Sequence, residues 1–135
     1  MENFYPFVSI AIITYNQKEL LRECIESCLT QNYPNFEIVV ADDASTDGTQ
    51  EMLRGYDSKY PGKFVLLLAK QNHGITSNSN ACIKACSGEL IAMLGGDDIL
   101  YSKKISKQVE IFQGKSEIVI CGTYTNIVNE NSEIV

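Results

Sequence analysis

An α/β fold with a mostly parallel sheet flanked by helices is what this sequence predicts, and three observations carry it. Apolar runs of strand length alternate with stretches that read as helix along the chain. The breaks between them are short and rich in Gly, Pro, Asn and Asp. Two of the apolar runs end in adjacent carboxylates, Asp42-Asp43 and Asp97-Asp98, at the strand ends where open α/β sheets bind ligands. Strand and helix alternate four times before a last strand, an order that right-handed crossovers close into one sheet with helices on both faces.

Val8 to Ile13 is the first predicted strand, β-branched and fit for burial on both faces of a parallel sheet. Asn16 with Glu19 three residues on reads as a capping box. The helix that follows sets Leu21, Cys24, Ile25, Cys28 and Leu29 on one face and Arg22, Glu23 and Glu26 on the other, until Asn32-Tyr33-Pro34-Asn35 breaks it. Phe36 to Ala41 is the second strand. Asp47 and Gln50 repeat the cap pattern and open a second helix to about Tyr56. Pro61-Gly62 turns the chain into a third strand, Phe64 to Ala69. After Gln71-Asn72-His73-Gly74, a small-residue helix runs from about Ile75 to Cys86, with Gly88 to end it. Leu90 to Leu94 is the fourth strand. A polar helix from about Lys103 to Phe112 leads to a fifth strand, Ile118 to Cys121. Asn129 to Ser132 signals a turn near the end, and the last residues, to Val135, read like the start of another strand.

With 135 residues the chain is read as one domain, 1–135, able to bury a single core. Its 44% apolar and 21% charged residues are ordinary for a globular protein. A net charge of −6 argues against nucleic acid as a partner, which needs clustered Lys and Arg. It also means that a phosphate ligand beside the paired aspartates needs a divalent cation between them. No apolar run approaches the roughly 20 residues of a membrane span, and Met1 to Pro6 lacks the basic and apolar regions of a leader. An odd count of five cysteines favours a reducing, cytoplasmic setting.

The candidate chemistry sits at the strand ends. Adjacent carboxylates repel, and the glycines Gly95 and Gly96 beside the second pair let a ligand approach the backbone. The plainer role for either pair is turn formation and capping. Asp43 to Gly48 starts like a calcium-binding EF-hand loop, but the twelfth position is Arg54 where a bidentate Glu is required. Asp47-Gly48-Thr49 lacks a phosphatase nucleophile, because Ser45 stands in its place. Cys24/Cys28 and Cys82/Cys86 could hold zinc, yet they suit buried helix faces better. His73, the single histidine, has no evident catalytic partner. Tyr15, at the end of the first strand, is a candidate to stack on a base or simply to pack there.

Taken in order, these segments resemble the family 2 glycosyltransferases with the A-type nucleotide-sugar-binding fold. The resemblance runs from Val8 to the tail. Val8 to Asn16 is similar to the family's opening strand, and Ser27 to Val40 to its passage from helix to second strand. Ala41-Asp42-Asp43-Ala44-Ser45-Thr46-Asp47-Gly48-Thr49 is similar to its Val-Asp-Asp-Gly-Ser-x-Asp-Gly-Thr, and Asn72-His73-Gly74 and Ser87 to Ile91 match its next landmarks.

The resemblance implies a nucleobase cradled by Ile13, Thr14 and Tyr15, with the Tyr15 ring against it and Asp43 accepting a hydrogen bond from it. It implies that Asp97 approaches the ribose or the metal, and that Asp98 helps bind a divalent ion, Mn or Mg, bridging the diphosphate. Three departures stand out. Gly95 replaces the usual first Asp of the metal motif, Ser79 stands where many members have Arg, and the family's catalytic base is expected beyond Val135. The implied activity is metal-assisted, inverting transfer of a sugar from a nucleoside diphosphate sugar, a UDP-sugar first, to a glycan or lipid-linked acceptor in surface glycan synthesis. This would occur in the cytoplasm or at the inner membrane face. The expected fold is a truncated, N-terminal donor-binding part whose exposed sheet edge favours self-association. The alternatives are a non-catalytic nucleotide-sugar-binding module and a nucleotidyltransferase. The latter is disfavoured because Thr14 to Lys18 holds no glycine for a triphosphate loop.

Overall fold

The computed structural model describes residues 5–135; the first four residues of the segment read for a leader lie outside the described residues. Eight elements follow one another: β1 (Val8–Thr14), α1 (Lys18–Leu29), β2 (Phe36–Asp42), α2 (Thr49–Lys59), β3 (Phe64–Leu68), α3 (Ile75–Ala85), β4 (Leu90–Gly95) and α4 (Lys104–Gly114). The four strands form one parallel sheet in the order β3-β2-β1-β4. The α/β reading and the alternation of the first eight expected elements are therefore borne out.

Two-residue alternation along β1 and β2 supplies both cores. Ile10, Ile12, Ile38 and Val40 face α1, α2 and α4, where they pack with Leu21, Ile25, Leu53, Ile105 and Val109. Ala11, Val39 and Ala41 face α3 and meet Cys82. The first layer holds the large side chains, each worth about 1.5–3 kcal/mol when fully buried. The small residues of the second let α3 lie close to the strands. Cys24, Cys28 and Cys82 are buried free thiols, as small apolar packing residues should be. Burial pushes the Cys82 thiol up to about 11, which keeps it protonated and unreactive.

At the amino end of the sheet, buried Glu37 organises the return into β4. Its Oε1 accepts bonds from Ser9 Oγ (2.6 Å), Ser87 N (2.9 Å) and Ser87 Oγ (2.8 Å). Ser9 Oγ in turn accepts from the Gly88 amide at 2.8 Å. Gly88 is needed there for closeness: a Cβ would lie 2.5 Å from the Ser9 nitrogen.

Several local expectations are corrected. The segment 118–121 is not a strand; Val119 and Ile120 are 86% and 85% exposed, and no strand pairs with them. High β propensity makes a strand only where a ladder is available. The last residues do not begin a strand of the sheet either. Val135 is exposed, and its amide donates to the Ile127 carbonyl at 3.0 Å, so the tail folds back on itself through a Val128–Ile134 bridge. The turn at 129–132 does form between these partners. The cap of α1 is Gln17 rather than Asn16, with no side-chain cap bond, and the cap of α2 is Gly48 at φ 90°. Gln50 does not bond back to Asp47. Its amide donates to Asp42 Oδ2 and to the Ala69 carbonyl. Helix α3 ends at Ala85, before Gly88. No helix among the described residues is long and apolar enough to cross a membrane.

Candidate functional site

Strand β1 is flanked by β2 and β4, so its carboxyl end is where the two halves of the candidate site meet. Thr14 is in register with Asp42 and Ile13 with Gly95. Just past the strands, the Asp43 amide donates to the Thr14 carbonyl (3.1 Å) and the Gly96 amide to the Ile13 carbonyl (3.0 Å). The backbone thereby gathers the candidate binding residues at one edge. Ile13, Thr14 and Tyr15 lie in the middle, Asp43 on one side, Asp97 and Asp98 on the other. The Tyr15 side chain is half exposed, and Thr14 is buried. Thr14 Oγ1 is a buried side-chain oxygen without a hydrogen-bond partner among the described residues. An orphan of this kind belongs where a ligand or water completes the structure.

The first aspartate pair is not a cation-holding pair. Adjacent strand residues point to opposite faces, and each carboxylate here is met by neutral donors. Asp42 is fully buried on the α2 side, where it accepts from the Ser45 amide (3.0 Å), the Ser45 hydroxyl and Gln50 Nε2 (2.8 Å). Asp43 is buried on the α3 side. Its two oxygens accept the His73 and Gly74 amides, each at 2.8 Å, and its carbonyl accepts from Asn72 Nδ2. Asp42 thus shapes its own turn while Asp43 tethers the 72–74 loop. Each Asp43 oxygen keeps a second lone pair, beside a pocket of about 210 Å³ lined by Leu67, Ala69, His73 and Asn78.

The loop from Ala44 to Gly48 is knitted to the start of α1. Asn16, at φ 50°, accepts the Thr46 amide on Oδ1 (2.7 Å) and donates its own amide to Ser45 Oγ (2.8 Å). Asp47 Oδ2 takes the first free amide of α1, that of Lys18, at 2.9 Å. The Thr49 hydroxyl, bonded to Asp47 Oδ1 at 2.6 Å, holds the Asp47 carboxyl below the usual carboxylate range.

Asp97 and Asp98 are exposed on a tight turn, with the Asp98 amide bonded to the Gly95 carbonyl (3.1 Å) and Asp98 Oδ2 accepting the Gly95 amide (3.3 Å). Both carboxylates fold over Gly95. A Cβ there would stand 2.8 Å from Asp97 Oδ1 and 3.1 Å from Asp98 Oδ2. Gly96 is required for another reason: a Cβ would lie 2.5 Å from Gln17 Nε2 and 3.0 Å from both the Ile13 carbonyl and Thr14 Cβ. The single ion pair among the described residues, Arg22 with Glu19, lies on the outer surface of α1, so no side-chain cation answers the two aspartates.

No three acidic, His or Cys side chains converge as a metal cage among the described residues. Two neighbouring carboxylates over a glycine, facing solvent, are nevertheless the donor set that Mg²⁺ or Mn²⁺ takes when substrate phosphates and water complete the shell. The residues fit that group. Ser79 offers nothing to it, since its hydroxyl bonds back to the Ile75 carbonyl at 2.7 Å. In the tail, Asn129 Nδ2 donates to Glu133, the Val135 amide donates to the Ile127 carbonyl, and Ser132 Oγ donates to Glu23 on α1. Gln17, which packs on Gly96, carries no local sequence signal, because its place depends on distant backbone, whereas the His73 and Gly74 amides fall in the Asn72-His73-Gly74 landmark.

The profile of Glycosyl transferase family 2 matches residues 9–134. The chain is 34% identical over 128 residues to "Putative glycosyltransferase EpsE" of Bacillus subtilis, covering 95% of this chain and 46% of that protein. It is 30% identical to "Putative teichuronic acid biosynthesis glycosyltransferase TuaG" of the same organism, covering 86% of this chain and again 46% of the relative. Among solved structures, it superposes on the mannosyltransferase PcManGT from Pyrobaculum calidifontis, in complex with GDP-Man and Mn²⁺, with a TM-score of 0.74 and 25% identity. That match covers 82% of this chain and 33% of the other. The chain thus spans under half the length of these proteins.

Proposed function

The chain belongs to glycosyl transferase family 2, and on that premise we propose that it forms the donor-binding part of an enzyme transferring a sugar from a nucleoside diphosphate sugar to an acceptor hydroxyl. One observation carries the reading: the end of β1 joins buried Asp43 on one side to the exposed Asp97-Asp98 turn on the other, through single backbone hydrogen bonds. A nucleotide laid across β1 would meet base-recognising groups at one end and metal-holding carboxylates at the other.

In this proposal Tyr15 stacks on the base, and Asp43 accepts from the base with the lone pairs left by His73 and Gly74. Thr14 Oγ1 supplies a buried polar contact beneath the ribose. Asp97 and Asp98 hold a divalent ion. That ion would neutralise the diphosphate and stabilise it as a leaving group. An inverting displacement also needs a base to deprotonate the acceptor. The acidic residues after Asp98 are Glu110, Glu117, Glu130 and Glu133. Among the described residues none of them hydrogen-bonds to the strand edge, and Glu133 is bonded to Asn129 in the tail. We assign the base and acceptor site to sequence that would follow Val135, in keeping with relatives about twice as long as the matched region. The acceptor is proposed as a surface-glycan precursor, lipid-linked at the inner membrane face, in keeping with the relative whose name refers to teichuronic acid.

The test is calorimetry with UDP-, GDP-, dTDP- and CDP-sugars, with Mn²⁺ and with chelator. One nucleotide class should bind in a metal-dependent way, and Asp98→Asn should abolish the dependence. Equal affinity with and without chelator would refute the metal assignment. Sugar transfer by this chain alone, beyond an Asp98→Asn control, would refute the division into donor and acceptor parts.

A further inference from the structure

The turn that carries Asp97 and Asp98 is anchored before and after. Upstream, the Gly96 amide is held by the Ile13 carbonyl. Downstream, the anchors come from the last turn of α1 and the residues just after it. Ser27 Oγ accepts the Leu100 amide at 3.0 Å. Gln31 uses both ends of its amide, donating to the Tyr101 carbonyl (2.9 Å) and accepting from the Ile105 amide (3.2 Å). Between the anchors Asp97, Asp98 and Ile99 are exposed, and the hydrogen bonds within this stretch are those between Gly95 and Asp98.

Two adjacent like charges with no side-chain cation beside them push their turn open. Beyond the two Gly95–Asp98 bonds, its shape depends on what grips its ends. Ser27 is the first grip after the carboxylates, two residues beyond Asp98. It is itself fixed, because its hydroxyl proton goes to the Cys24 carbonyl at 2.7 Å and its lone pairs are left for Leu100. Gln31 lies four residues on and is 8% exposed, so its bonds to 101 and 105 are shielded from water. Divalent ions of the Mg²⁺ and Mn²⁺ class require ligand oxygens placed within a few tenths of an ångström.

We propose that Ser27 and Gln31 are positioning residues for the metal-binding turn: they touch neither donor nor metal, and they set where the Asp97 and Asp98 carboxylates stand. The proposal rests on the donor and metal reading above. It also gives a role to the Ser27-to-Gln31 stretch, which that reading leaves without one.

The experiment titrates MnCl₂ into the chain with saturating GDP or UDP, followed by the electron paramagnetic resonance of free Mn²⁺, and measures amide exchange without metal. Ser27→Ala and Gln31→Met should each weaken Mn²⁺ about 10-fold, the low end of what changes to residues supporting the ligands do to metal sites. Nucleotide affinity in chelator should stay that of wild type, because only the metal geometry changes. Amide exchange at 97–100 should quicken, and Ser27→Thr should restore both readouts. Thr30→Ala is the control, since its hydroxyl donates to the Ser27 carbonyl and, among the described residues, bonds nothing on the turn. Unchanged Mn²⁺ affinity in Ser27→Ala, or an equal loss of metal-free nucleotide binding, would overturn the proposal. Asp98→Asn separates the two claims. If it loses Mn²⁺ while Ser27→Ala does not, the positioning role alone fails. If it binds Mn²⁺ like wild type, the metal reading fails and the positioning role with it.

Discussion

Gly95→Ala should separate folding from metal binding more cleanly than removal of either aspartate. A Cβ at this position would sit 2.8 Å from Asp97 Oδ1 and 3.1 Å from Asp98 Oδ2, and no other group is nearer. Ordinary contact begins near 3.4 Å. Asp97 must therefore retreat by about 0.6 Å and Asp98 by about 0.3 Å, against a tolerance of about 0.2 Å for metal–ligand distances. Both side chains are exposed and can move without disturbing a core. The backbone at Gly95 lies outside the left-handed region, so Ala is not strained there. Ala also restricts the unfolded chain more than Gly does, which stabilises by about 0.4–1 kcal/mol at compatible sites. The expected result has opposite signs. Melting without ligand is unchanged or slightly raised, while Mn²⁺ affinity in the presence of nucleotide falls at least about tenfold, equivalent to about 1.4 kcal/mol. Thermal melts and Mn²⁺ titration by calorimetry measure the two. Wild-type Mn²⁺ affinity in Gly95→Ala would refute the claim that these two carboxylates bind metal over Gly95. A large loss of stability would refute the claim that only exposed side chains crowd it.

Other consequences can be measured. Asp43→Ala should weaken nucleotide binding by about 1.5–3 kcal/mol, the range for a hydrogen bond to a charged group; Asp42→Ala should chiefly lower stability, by about 2–3 kcal/mol, because Ser45 and Gln50 lose a buried acceptor. Calorimetry and urea unfolding would show if the two are reversed. Burial alone would push the Glu37 carboxyl up, but the bonds from Ser9 and Ser87 outweigh it and hold it below its ordinary 4.5. Its folded value is the lower one, so the stabilisation is full above about pH 4.5 and fades as pH falls through the folded value; Glu37→Gln should be less stable than wild type at pH 7, with the gap narrowing in acid, and a gap independent of pH would count against the charged network. Finally, Ile91 and Met93 on edge strand β4 are 42% and 49% exposed, and we expect concentration-dependent self-association through this edge. Sedimentation of an Ile91→Lys/Met93→Lys variant that associates like wild type would exclude it.

What the sequence determined by itself is the part of the fold written in short-range pattern. Apolar runs of strand length specify β1 to β4, and helical spacing specifies the buried face of α1. Their alternation specifies a parallel sheet, and the strand-end aspartates mark the edge at which we propose the ligand binds. Each of these signals lives within a window of one element, where hydrophobic period and turn residues act. What the tertiary structure decided is everything whose partner lies far along the chain. Asn16 and Asp47 look like caps of their own helices, yet Asn16 holds the Thr46 amide and Asp47 takes the first amide of α1, because the two loops meet at the sheet edge. Asp42 and Asp43 are adjacent in sequence and separated by the pleat, so one shapes a turn and the other tethers a loop. Residues 118–121 carry the composition of a strand and form none, since a ladder requires a neighbour. Gly95, Gly96, Ser27 and Gln31 take their meaning from backbone and side chains that only folding brings beside them. A residue's conformation is largely a local matter, whereas the partner of a hydrogen bond or a close contact is fixed by the packing of the whole sheet.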